Sequence, residues 1–167
     1  MMNIVDMHCD TLSELLAFEK KGISCELLQN NLHIDLKKMH NAGYLLQNFA
    51  MFCDLGNTED PFQDVMEMTD IFYREMEKNA DLIRPVTCVS GIEQNRKEGR
   101  MSALLTVEES GVCKGNFALL RNLYRLGVRM ITLTWNYPNE TGWPNLNNRV
   151  KKEERRSDFF RTADCEH

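Results

Sequence analysis

The chain has 167 residues, of which 43% are hydrophobic and 27% charged, and this composition is typical of one globular domain with a sizeable core. Its formal net charge of −5 disfavours nucleic acid or an anionic membrane surface as the main partner. The sequence contains no run of about 18 apolar residues, so we expect no membrane span. It also lacks a basic N-terminal segment followed by a long apolar one, which predicts no signal peptide and a cytoplasmic location.

The cysteines are widely scattered and form no Cys-x-x-Cys pair. In a reducing compartment such cysteines are free thiols, and most of them are expected to be small core residues. A cysteine-based zinc finger is therefore disfavoured. The residues concerned are Cys9, Cys25, Cys53, Cys88, Cys113 and Cys165.

The chain opens with a short apolar run that ends in His-x-Asp, and we predict the first strand over residues 4–7. The two-residue period of a strand points His8 and Asp10 to the same side and Cys9 to the other. An imidazole and a carboxylate at the end of a strand are two potential ligands of a metal ion. By itself the pair is a weak signal, because His-x-Asp also occurs by chance.

Helical and extended segments then alternate along the chain. Thr11 is expected to cap the first helix, with Glu14 completing a capping box. Apolar residues at three- and four-residue spacings mark the long amphipathic helix that Pro61 opens. The predicted helices cover residues 11–20, 36–41, 61–79, 92–98 and 117–126, and the predicted strands cover residues 4–7, 44–53, 102–107 and 128–135.

Strands separated by helices, four times over, predict right-handed crossovers and a parallel α/β sheet. Polar side chains follow the strand ends, and in α/β folds that edge carries the active site. The third predicted strand is followed by two glutamates, Glu108 and Glu109. The register from Val107 favours Glu108 as the one whose carboxylate faces inward. The candidate site residues at this edge are His8, Asp10, Glu108, Trp135 and Asn136.

Several stretches together resemble the N-terminal half of the zinc-dependent membrane (renal-type) dipeptidase family and its bacterial branch. The resemblance covers roughly residues 3–148. No single motif is specific, but the combination is. The matching stretches are residues 6–11, 104–108 and 126–136, joined by residues 33–36 and 47–49.

The resemblance implies a (β/α)8 TIM-barrel fold, of which this chain holds about the first four β/α units. It also implies zinc-dependent hydrolysis of dipeptides at a two-zinc site. His8 and Asp10 match the ligands of one zinc, and Glu108 matches the glutamate that bridges both. Trp135 and Asn136 match a region of substrate contact. Imidazole and carboxylate ligands suit manganese or iron nearly as well as zinc.

The sequence departs from this family in two places near the site. The family often has Glu-Gly-Gly after the third strand, where this chain has Glu108-Glu109-Ser110-Gly111. Some members have a substrate-contacting histidine after the fourth strand, where this chain has Trp135. No residue of this chain matches the family's catalytic aspartate, so we assign no catalytic residue.

A complete barrel of this type needs about 250 residues. We therefore expect residues 1–148 to be the N-terminal half of a barrel and residues 149–167 to be a charged tail produced by truncation or a frame change. His33, His40 and His167 are not expected to be ligands. Two exposed sheet edges favour self-association, with a homodimer as the expected form.

Three functions remain open at this point. The first is a zinc-dependent dipeptidase whose activity is impaired in so short a chain. The second is a non-catalytic half-barrel fragment that binds metal weakly or associates with itself. The third is a different metal-dependent hydrolase of a related barrel, acting on another amide or on a lactone.

Overall fold

The computed structural model describes residues 3–145, which form one curled, five-stranded parallel sheet covered by helices. The strands are β1 (Ile4–Asp6), β2 (Tyr44–Phe52), β3 (Ile83–Pro85), β4 (Met101–Glu108) and β5 (Met130–Thr132). The helices are α1 (Thr11–Lys20), α2 (Leu36–Ala42), α3 (Pro61–Lys78), α4 (Val89–Lys97) and α5 (Phe117–Arg125), with a 3-10 turn at Ser110–Cys113. The tail predicted over residues 149–167 lies outside the described residues.

The order of the main strands in the sheet follows their order in the chain. β1 pairs with β2, β2 with β4, and β4 with β5, and every pair is parallel. A doubly wound sheet reverses its direction of growth at a switch point, whereas a β/α barrel adds each new strand to the same side. The sheet is therefore the first part of a β/α barrel, as the sequence predicts.

β3 is an additional short strand that the sequence analysis did not predict. It pairs with the beginning of β4, where Ile83 lies opposite Met101, and the Val86 N–H donates to the Ala103 carbonyl over 2.9 Å. The three residues are one buried isoleucine followed by exposed Arg84 and Pro85. So short a segment has no alternation of polar and apolar residues from which a strand can be recognised.

The predicted ends of all four strands differ from the observed ones, by one residue in the second and third strands, which are Tyr44–Phe52 and Met101–Glu108. The first strand ends at Asp6, one residue earlier than predicted, and the strand predicted over residues 128–135 is reduced to Met130–Thr132. β5 pairs only with the last three residues of β4. Because ladder hydrogen bonds define a strand, the apolar residues that flank these three do not extend it.

The main core lies between the sheet and the helices that cover it. Residues of β2 and β4 that face the helices are almost completely buried, and Phe49 packs edge-to-face on Phe72 of α3 with 5.9 Å between ring centroids. Cysteines 9, 53 and 113 are also buried, Cys25 is partly buried and Cys88 is exposed. These five are free thiols, as predicted, and Cys165 lies outside the described residues. Within residues 3–145, no helix has both the length and the apolarity to cross a membrane.

Asp35 joins the segment after α1 to the start of α2. Its carboxylate is buried and accepts hydrogen bonds from the Lys38 N–H at 2.8 Å and the Asn30 N–H at 3.3 Å. The Lys38 ammonium group lies 3.1 Å away. Burial acts to raise the pKa of Asp35, but these hydrogen bonds and the charge of Lys38 outweigh it and hold the pKa below its usual value.

Replacement of Asp35 by alanine is expected to lower the free energy of unfolding by about 2 kcal/mol, because α2 loses its N-cap and buried N–H groups lose their acceptor. The contribution of Asp35 is fully present above about pH 4, the pKa of an unfolded aspartate, and is lost as the pH falls through the lower folded-state pKa. Urea unfolding at pH 7 and pH 3 measures both effects. The exposed Asp81 provides the control, Asp81→Ala, and an equal loss in both variants would contradict the assignment.

Candidate metal centre

Beyond the end of β1, the backbone continues to form hydrogen bonds with β2. The Cys9 N–H donates to the Asn48 carbonyl over 3.1 Å, and the Cys9 carbonyl accepts from the Ala50 N–H over 3.0 Å. These bonds hold the Cys9 side chain in the core, whereas His8 and Asp10 are exposed on the other side. The alternation predicted for these three residues is therefore present, although they lie beyond the strand itself.

Asp10 immediately precedes α1, and Thr11 is the first helical residue. The predicted capping role of Thr11 is wrong, because Asp10 occupies the N-cap position. The Asp10 carbonyl accepts from the Ser13 and Glu14 N–H groups, while its carboxylate caps no helix N–H. Because the helix does not use it, this carboxylate is free to face His8.

Asp6 fixes the backbone of His8 from the end of β1. One oxygen of its carboxylate accepts the His8 N–H at 3.2 Å, and the other lies 3.4 Å from the Tyr44 hydroxyl, which donates to it. Burial, together with the negative charge of Asp6, raises the pKa of the Tyr44 hydroxyl. The sequence analysis did not single out Asp6, and its place two residues before the histidine was the only signal for this role.

Three side chains converge at the carboxyl edge of the sheet. His8 Nε2 lies 3.1 Å from Asp10 Oδ1 and 3.1 Å from Glu108 Oε2. One ligand atom from each of the three residues lies within 4.8 Å of the other two. About half of the His8 and Asp10 side chains is exposed, but only 17% of the Glu108 side chain is. The burial of Glu108 raises the pKa of its carboxyl group, and the charges of Asp10 and Glu109 act in the same direction, against that of His8.

The chemistry of this donor set fits a divalent cation. A single ring nitrogen carries at most one hydrogen, so His8 Nε2 by itself satisfies only one of the two carboxylates that approach it. A metal ion bound between the three groups would accept electron pairs from all of them, and one imidazole with two carboxylates suits zinc, manganese or iron. Within the part of the chain that the structure describes, no other three potential ligands cluster in this way. The exposed His33 and His40 stay outside it, and His167 is not among the described residues.

Glu108, and not Glu109, reaches His8. Glu108 is the last residue of β4 and pairs in register with Phe52 of β2 and Thr132 of β5. At Glu109 the backbone adopts φ 89°, and its side chain turns into the protein, where it is completely buried. The carboxylate that lies next to His8 is therefore that of Glu108, and its role as a metal ligand stays a prediction.

Trp135 lies at the same edge as the three converging side chains. Its ring packs edge-to-face on Phe52 with 4.8 Å between centroids, and Tyr137 lies 6.4 Å from it. Because Phe52 pairs in register with Glu108, the aromatic rings border the cluster of candidate ligands. Trp135 is 37% exposed and Asn136 is exposed beside it. Their contact with a substrate stays a prediction.

The profile of the membrane dipeptidase family (peptidase family M19) matches residues 1–158. The chain belongs to the membrane dipeptidase family. A curated relative described as an uncharacterized dipeptidase of Schizosaccharomyces pombe is 31% identical over 118 residues, which are 64% of this chain and 28% of that protein. The family recognised from the sequence is thus confirmed.

Solved structures of metallopeptidases share the fold of this chain. The family M19 metallopeptidase described as dipeptidase AC superimposes with a TM-score of 0.74 at 17% identity, over 84% of this chain and 45% of that one. A metallopeptidase from Rhodobacter sphaeroides gives 0.73 at 15% identity, over 84% of this chain and 48% of that one. At these identities the likeness shows the barrel fold alone. The chain spans less than half the length of these relatives.

Proposed function

We propose that this chain carries the N-terminal part of the metal centre of a zinc-dependent dipeptidase. Its dipeptidase activity is impaired. The observation that carries the proposal is the convergence of His8, Asp10 and Glu108 at the carboxyl edge of a barrel sheet. Membership of the membrane dipeptidase family supports peptide-bond hydrolysis as the reaction class. Zinc is proposed from the family resemblance and from ligands that suit it.

The chain's own residues would contribute as follows. His8, Asp10 and Glu108 would hold the metal, and Asp6 keeps the His8 backbone in place. A metal bound there supplies a Lewis acid that polarises a carbonyl oxygen and lowers the pKa of a coordinated water. Phe52 and Trp135 pack against each other and would shield one flank of this edge from water.

A dipeptide is the proposed substrate. The Rhodobacter sphaeroides metallopeptidase was solved with a phosphinate mimic of the dipeptide L-Ala-D-Ala, which supports a dipeptide-sized ligand for the family fold. In this chain the half-exposed Trp135 would contact a substrate side chain, and the Asn136 amide would offer a hydrogen bond to its backbone. We also propose a cytoplasmic location and a homodimer, as the sequence predicts.

A second candidate is a half-barrel fragment without catalysis that binds one metal weakly. It is favoured by the size of the cluster, because three candidate ligands are few for two zinc ions within residues 3–145.

Metal stoichiometry and turnover separate these candidates. We expect the purified chain, dialysed against zinc chloride, to retain zinc that EDTA removes, and to hydrolyse unblocked dipeptides slowly while leaving N-acetylated ones intact. Two zinc ions with turnover support the dipeptidase. One zinc ion without turnover supports the non-catalytic fragment, and hydrolysis of a lactone or of the acetylated peptide alone favours a different hydrolase. A chain that binds no zinc at all would contradict the proposed metal centre.

A further inference from the structure

Glu109 is a buried carboxylate outside the cluster of candidate metal ligands. Glu109 is 0% exposed, and no lysine or arginine of residues 3–145 forms an ion pair with its carboxylate. Burying a carboxylate is strongly unfavourable unless hydrogen bonds replace the lost water. The donors that compensate this burial therefore indicate what the residue does.

Among residues 3–145, the groups that donate to Glu109 come from two turns. One carboxylate oxygen accepts the Gly111 N–H at 3.1 Å and also the side-chain amide of Asn139. The other accepts the Trp135 N–H at 2.8 Å. The residue thus joins the turn directly after β4 to the loop after β5.

The backbone of Glu109 is held in a conformation that side chains rarely adopt. Its φ of 89° and ψ of 95° lie outside the regions favoured by residues other than glycine. Such geometry persists where the surroundings enforce it, and it is concentrated at functional sites. Here the unusual backbone buries the Glu109 carboxylate in the protein, away from the side on which Glu108 lies next to His8.

The loop that Glu109 binds carries the aromatic flank of the site. The Asn139 side-chain amide also donates to the Leu133 carbonyl over 2.8 Å, and the Ser110 hydroxyl donates to the same carbonyl over 2.6 Å. The loop is therefore folded onto the end of β4. This arrangement places Trp135 on Phe52, which pairs in register with Glu108.

We propose that Glu109 is a positioning residue whose buried carboxylate ties the loop after β5 to the end of β4 and so holds Trp135 beside the metal ligands. It acts through Trp135 and does not itself bind the metal. Its relevance to substrate rests on the proposed function, in which Trp135 contacts the dipeptide. The placement of Trp135 by Glu109 does not depend on that function.

The chemistry of the contacts requires a carboxylate at this position. An ionised carboxylate only accepts hydrogen bonds, and it faces three N–H groups here. A glutamine has almost the same shape but turns an N–H donor toward these donors, so at least one bond is lost and two donors face each other. Glu109→Gln is therefore a test of the hydrogen bonds with little change of volume.

Acrylamide quenching of Trp135 fluorescence measures its release from Phe52. The chain has two tryptophans, so Trp143→Phe leaves Trp135 as the only tryptophan, which is excited selectively at long wavelength. We expect Glu109→Gln to raise the quenching constant about two- to threefold, because Trp135 is 37% exposed in the folded loop. The matched control is Glu140→Gln, which changes an exposed glutamate of the same loop and should leave quenching unchanged.

Two further measurements separate positioning from a general structural role. The zinc dissociation constant, from dialysis with zinc chloride alone, should stay within about threefold of the parent in Glu109→Gln, since the three ligands are untouched. The double variant Glu109→Gln, Asn139→Asp exchanges donor and acceptor across one bond and should restore part of the parental quenching. Asn139→Asp by itself should release Trp135.

Several results would overturn the proposal. They are unchanged quenching in Glu109→Gln, equal release by Glu140→Gln, no rescue in the double variant, or a tenfold loss of zinc affinity without release of Trp135. If Glu109→Gln does not fold, Asn139→Ala removes the bond to Glu109 from the loop side, together with the other hydrogen bonds of that side chain. Unchanged quenching there contradicts the proposal as well. A parent chain that binds no zinc counts against the proposed function, whereas the quenching results still decide the role of Glu109.

Discussion

Replacing His8 with alanine is expected to weaken zinc binding by about 100-fold or more. Changes to residues that only support metal ligands already cost about 10- to 100-fold in affinity, and removal of a ligand should cost at least as much. The loss should be large here because His8 is the only nitrogen donor of the cluster and lies 3.1 Å from both carboxylates. Equilibrium dialysis of the purified variant against zinc chloride gives the dissociation constant directly.

His33 supplies the matched control for this experiment. It is an exposed histidine outside the cluster, so His33→Ala should bind zinc as the parent does. Circular dichroism of both variants should match the parent, because neither side chain belongs to the core. Unchanged zinc affinity in His8→Ala, or an equal loss in both variants, would remove the claim that the metal centre is built on His8.

The largest expected effect on stability comes from Phe49. Replacing it with alanine should lower the free energy of unfolding by about 3–5 kcal/mol, the usual cost of emptying a completely buried phenylalanine site. Phe49 lies in the middle of β2, is 0% exposed, and packs on Phe72 of α3. The variant therefore loses the contact between the central strand and the longest helix. Urea unfolding followed by circular dichroism measures the change.

Phe117→Ala is the control, because Phe117 is 72% exposed at the start of α5. Its replacement should change the free energy of unfolding by no more than about 0.5 kcal/mol, as for most surface positions. A similar loss for the two variants would show that the core does not lie between the sheet and α3.

The sequence predicted the placement of side chains best where local periodicity decides the geometry. The alternation of His8, Cys9 and Asp10 placed two polar side chains opposite a core cysteine, and the register of β4 favoured Glu108 over Glu109. These outcomes depend on only one or two neighbouring strands. The parallel α/β sheet was likewise predictable, because strands and helices alternate along the chain, whereas the barrel was implied by the family resemblance.

The features that were missed depend on contacts between distant parts of the chain. Glu109 accepts a hydrogen bond from Trp135, 26 residues later, and no local pattern specifies that bond. The Asp10 carboxylate can face His8 only because it forms no capping hydrogen bond with the helix that begins at Thr11. The three-residue β3 exists through its pairing with β4, and its own sequence offers little sign of a strand.

The most direct test of the metal centre is anomalous diffraction at the zinc edge from crystals of this chain soaked in zinc chloride. We expect the strongest anomalous peak between His8 Nε2, Asp10 Oδ1 and Glu108 Oε2, the atoms that already converge in the structure. A peak bound to other residues, with none at this edge of the sheet, would contradict the proposal that these three residues form the metal centre.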